Sequence, residues 1–104
     1  MSSEVSIYFD FKRARDQAEA LENLANQLKT LSDSNLENTM MGISRNWTGT
    51  NANAFLGKAN SLQEKIKDTS KDLDNIATDI KRIAKRIYDA EMLAIQIANE
   101  RCTN

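Results

Sequence analysis

From Phe11 onward, apolar or small residues recur at Ala14, Ala18, Leu21, Leu24, Ala25, Leu28 and Leu31, then at Leu36, Met40 and Ile43. Steps of three and four place them on one side of an amphipathic helix, predicted over about residues 10–43. Asp10 is the expected N-cap, with Ile7 or Phe9 stapling the entry. Ser32 to Asn38 is a softer stretch whose Ser, Asp and Asn side chains compete for backbone hydrogen bonds, so the helix is read as running through it or kinking there. A second pattern is stricter: Phe55, Ala59, Leu62, Ile66, Thr69, Leu73, Ile76, Ile80, Ile83, Ile87, Ala90, Ala94 and Ile97 alternate steps of four and three. This is a sustained heptad repeat and predicts a second helix over about residues 52–101. Ala77, Ala84 and Ala98 each follow a seam residue and allow a neighbouring helix to come close. Between the helices, Ser44 to Asn51 is short and polar. Gly49 there is free to take the positive φ of a turn, and Thr50 or Asn51 can cap the second helix.

The expected fold is therefore all-α: one helical-hairpin domain over residues 1–104, folded antiparallel about the turn at 44–51. Helices of about 34 and 50 residues would measure about 51 and 75 Å at the α-helical rise. That mismatch leaves Ile87 to Ala98 without an intrachain helical partner, although the segment is apolar. Either the N-terminal residues Val5, Ile7, Tyr8 and Phe9 fold over it, or a second chain covers it. Two helices also enclose little interior, so the economical assembly is a dimer forming a four-helix bundle. The interface is expected along Leu21, Leu28, Phe55, Leu62, Ile66, Leu73, Ile76, Ile80, Ile83, Ile87 and Ile97.

Composition narrows the function. The 104 residues carry 14 basic and 15 acidic side chains, a net charge of −1, which gives no global field to draw in nucleic acid. Proline is absent and glycine occurs three times, in keeping with long helices. With no histidine and a single cysteine, Cys102, the usual metal sites, Cys/His or Ser/His nucleophile pairs and an intrachain disulfide are excluded. No catalytic residues, metal or cofactor are expected. No apolar run approaches the length of a membrane span, and Met1 to Asp10 lacks the pattern of a cleavable signal peptide.

The sole tryptophan stands in Trp47-Thr48-Gly49, almost midway along the chain and at the predicted turn. A chain of about one hundred residues with two amphipathic helices and a central W-x-G turn resembles the WxG-hundred family, the Esx-type substrates of type VII secretion. The resemblance covers nearly the whole chain. It implies export without a cleavable signal peptide, a homodimer or a heterodimer with a related hairpin or the helical N-terminal domain of a larger toxin, and recognition by the secretion-system ATPase. It also implies that Trp47 and Gly49 form half of a bipartite signal completed by a C-terminal motif, an aromatic followed four positions later by an acid. Here the register is shifted: Ile87 is four before Glu91, whereas Tyr88 is three before it. Either a relaxed hydrophobic version at Ile87 and Glu91 operates, or a partner chain supplies the motif.

The alternative reading is a secreted, membrane-active amphipathic helix, using the basic run Lys81, Arg82, Lys85 and Arg86 with the stripe from Met92 to Ala98; balanced charge argues against it. Cys102 is assigned no role.

Overall fold

The computed structural model describes residues 4–102, and among these all but Trp47, Thr48 and Gly49 are helical. Helix α1 spans Glu4–Thr30, a π-helical segment Leu31–Leu36 joins it to α2 (Glu37–Asn46), and α3 spans Thr50–Cys102. No strand occurs among the described residues. The chain divides into two compact units, one formed by residues 1–21 with 75–104 and the other by 22–74. The Cys102 side chain lies outside the described residues.

In the second unit, the segments before and after the turn pack antiparallel, and the contacts are as much polar as apolar. Ala25, Ser32, Ala52, Gln63 and Ser70 are its buried residues. The Ser32 hydroxyl donates to the Gln63 carbonyl at 3.3 Å, while the Gln63 amide donates to the Ser32 carbonyl at 2.8 Å and to the Glu37 carboxylate at 2.9 Å. One heptad further along α3, the Ser70 hydroxyl donates to the Ala25 carbonyl at 2.7 Å. Lys67 and Asp33 add an exposed ion pair at 3.6 Å. Buried polar groups paired in this way fix one register, because any slip leaves them desolvated and unbonded.

The soft stretch neither breaks the helix nor leaves it regular. Inward positions advance by four three times running, from Leu28 to Ser32, Leu36 and Met40, one residue more than an alternating pattern allows. The π segment absorbs that residue, as a single wide turn does.

In the first unit, α1 starts six residues before the expected cap. Asp10 is exposed inside the helix, and Ile7, only 3% exposed, carries the inward pattern back through Phe11, Ala14 and Ala18. The expected overhang is thereby corrected. Phe11 stacks on Tyr88 with ring centroids 5.0 Å apart, and Glu4 lines a groove with Met92, Leu93 and Gln96. The chain's own N-terminal turns therefore lie beside much of Ile87 to Ala98. Ala18 and Ala77 are fully buried and Ala84 nearly so, whereas Ile76, Ile83 and Ile87 stay about half exposed, so the small side chains are the ones turned inward.

Candidate functional site

The second unit's turn consists of the W-x-G tripeptide itself. Helix α2 ends as Trp47 turns extended, at φ −135° and ψ 119°, while its N–H still donates to the Ile43 carbonyl at 2.9 Å. Side chains bind back onto this last turn: the Ser44 hydroxyl donates to the Met41 carbonyl at 3.0 Å, and the Asn46 amide to the Gly42 carbonyl at 2.9 Å. Gly49 then adopts φ +114°, and its carbonyl accepts from Asn53 N–H at 3.1 Å to start α3. The expectation of positive φ at Gly49 is met. No side-chain cap from Thr50 or Asn51 is among the hydrogen bonds at the start of α3; the Gly49 carbonyl begins it.

Space is not what demands glycine at this position, since a Cβ would meet nothing within 4 Å. The constraint is the dihedral alone. Gly49→Ala is expected to destabilise the fold by about 1–2 kcal/mol through backbone strain, read as a lower midpoint in thermal denaturation by circular dichroism.

Trp47 is not a buried plug. It is 50% exposed and packs at a tilt against Phe55, itself 47% exposed, with centroids 6.2 Å apart. Ala52, in the first turn of α3, is buried. An indole with one face packed and the rest in water offers a partner both apolar area and an N–H donor.

The three residues of the C-terminal reading come together in the first unit. Ile87, Tyr88 and Glu91 line one groove of about 200 Å³ with Ile7, Asp10 and Phe11. Ile87 is 53% exposed, whereas Tyr88 and Glu91 are partly covered. Lys85 sits 5.5 Å from the Tyr88 ring centre and binds Asp89 at 2.6 Å. Within the basic run, Arg82 also pairs with Asp79 at 3.1 Å, an exposed contact like that of Lys85.

The expected interface residues separate into two classes. Leu21, Leu28, Ile66, Leu73 and Ile80 are half-buried against their own chain, while Phe55, Leu62, Ile76, Ile83, Ile87 and Ile97 remain 42–53% exposed. A polar contribution lies outside the hydrophobic pattern: Gln63 and Ser70 each lie one position after a seam residue, as Ala77 and Ala84 do, and Ser32 belongs to the soft stretch, yet all three are buried. Among the described residues no group of side chains could hold a metal ion, and no helix is long and apolar enough to cross a membrane.

No curated protein and no solved structure matches the chain. The family model for proteins of 100 residues with WXG matches residues 6–92, a span that runs from the first turn of α1 past the groove at Ile87 and Glu91. With the tripeptide forming the whole turn between two helices and the match covering most of the sequence, the chain belongs to the family of proteins of 100 residues with WXG.

Proposed function

We propose that this protein is a helical-hairpin binding and targeting module of a type VII secretion system, exported together with a second helical hairpin and recognised at the Trp47 turn. Family membership makes it a type VII secretion substrate, and the family consists of small, helical, secreted proteins that typically dimerise with related partners. The finer roles are inferred from the site. The observation that carries them is Trp47: a half-exposed indole on a turn whose geometry is fixed by Gly49 rather than by the ring itself.

A large apolar side chain that the fold does not bury is explained by a partner that does. The groove at Ile87, Tyr88 and Glu91 is the second candidate contact, with Ile87 and Glu91 one helical turn apart and Tyr88 held by Phe11. The secretion ATPase is the proposed reader of these surfaces.

Trp47→Ala separates recognition from folding. Losing one side of the Trp47–Phe55 pair is expected to cost about 1 kcal/mol of stability, leaving the helical spectrum intact. Export is expected to fall to background, measured as the protein in the culture medium relative to that in cells of the native producer. Export of Trp47→Ala at the unsubstituted level, or undiminished export after deletion of the secretion ATPase, would overturn the proposal.

A further inference from the structure

Where α1 begins, its first turn and the last turns of α3 leave an open groove of about 760 Å³. Met92 and Leu93 are its apolar residues, Glu4, Asp89 and Glu100 its acids, and Gln96 lies among them. Leu93 is 55% exposed. These are not the positions of the exposed isoleucines. Ile76, Ile83 and Ile87 stand one position before the inward Ala77, Ala84 and Tyr88, whereas Asp89 and Met92 stand one position after Tyr88 and Glu91. One residue is about 100° of helix, so the two rows lie on opposite flanks of the inward line.

Charge is distributed unevenly along α3. After Arg86 it carries Asp89, Glu91 and Glu100 against Arg101 alone, and α1 adds Glu4 and Asp10 before its first base, Lys12. The chain as a whole has a net charge of only −1. Asp89 meets Lys85 at 2.6 Å, but both side chains are more than half exposed, and such a pair holds a carboxylate only weakly. An apolar groove set among acids repels anionic lipid and nucleic acid, and it attracts cations carried on an apolar body.

We propose that this groove docks a cationic amphipathic helix of another protein. Its apolar stripe covers Met92 and Leu93, and its lysines or arginines meet Glu4, Asp89 and Glu100. Grooves between helices take amphipathic helices in this way, and methionine, unbranched and polarisable, adapts to the side chains it receives. Asp89 and Glu100 stand about 16 Å apart at the α-helical rise, so the helix that fits carries cations about three turns apart beside its apolar stripe. The groove belongs to the other unit from Trp47, and its occupancy does not depend on the turn.

The test uses the full chain and a labelled synthetic peptide with leucines at heptad spacing and lysines between them, followed by fluorescence anisotropy. Binding is expected, and it should weaken as salt rises. A peptide with the same leucines and glutamates in place of the lysines should not bind. E4K/E100K and, separately, L93S should each raise Kd roughly 10-fold, with circular dichroism confirming an unchanged helical spectrum. I83S and W47A should bind as the parent does. Absence of binding, equal binding of the glutamate peptide, or loss with I83S rather than with L93S would each overturn the proposal. So would sedimentation of the chain with vesicles of anionic lipid through Leu93, or self-association that E4K/E100K abolishes, since these assign the groove to a bilayer or to a second copy. Loss of export in W47A with peptide binding retained is the expected combination; export of W47A at the parent level would overturn the Trp47 reading alone.

Discussion

Ala77→Leu is expected to destabilise the protein by about 1–3 kcal/mol, because the residue has no exposed surface and the space around it is already filled. Extra methylene groups can be accommodated only by moving backbone or by forcing side chains off their rotamers. For a chain of this size each kcal/mol lowers the thermal midpoint by about 4–8 °C, so the loss is readily measured by circular dichroism. Ala20, exposed on α1, supplies the control. Ala20→Leu adds the same volume into solvent and should stay within about 0.5 kcal/mol of the parent. Equal melting of the two variants would mean that the alanine seam is not the contact described above.

The second large effect is expected at Gln63. Its amide gives one proton to the Ser32 carbonyl and the other to the Glu37 carboxylate, while its own backbone carbonyl receives the Ser32 hydroxyl. Gln63→Ala removes both amide donors from a site that is 5% exposed, and the expected cost is about 1–3 kcal/mol. Gln63→Leu refills the volume without restoring a donor, so recovery should be incomplete. The comparison separates packing from hydrogen bonding: if leucine restores full stability, the amide contributes nothing net. Because the pair also sets register, hydrogen exchange is expected to quicken around Ser32 and the π segment more than around the turn.

Much of this architecture was legible in the residues. The steps of three and four gave both helices, and a lone glycine after the only tryptophan gave the turn; Gly49 does take positive φ. Asp10 suits a cap and predicts a later start for the first helix, but capping is a weak local preference and burial of Ile7 outweighs it. The consequence was an overhang at Ile87 to Ala98 that the N-terminal turns of α1 in fact lie beside. The π segment was visible only as soft composition, since an inserted residue shows itself when the facing helix fixes the register.

Which row of α3 turns inward was harder to read. Two adjacent rows repeat every seven residues, one of large side chains at Phe55, Leu62, Ile76 and Ile83, interrupted by Thr69, the other of small or polar ones at Gln63, Ser70, Ala77 and Ala84. A hydrophobicity pattern favours the first row. The fold uses the second, because helices approach most closely over small side chains and because Gln63 and Ser70 find backbone carbonyls to bind.

By itself, then, the sequence determined the helical class, the place and shape of the turn, and the family signature at Trp47 and Gly49, all of which follow from periodicity and local backbone preference. Only the tertiary structure decided where α1 begins to pack, which face of α3 meets its own chain, and which isoleucines stay in water. Those outcomes depend on close approach and on hydrogen bonds between residues dozens of positions apart, such as Ala25 with Ser70, and neither property is contained in the spacing along one helix.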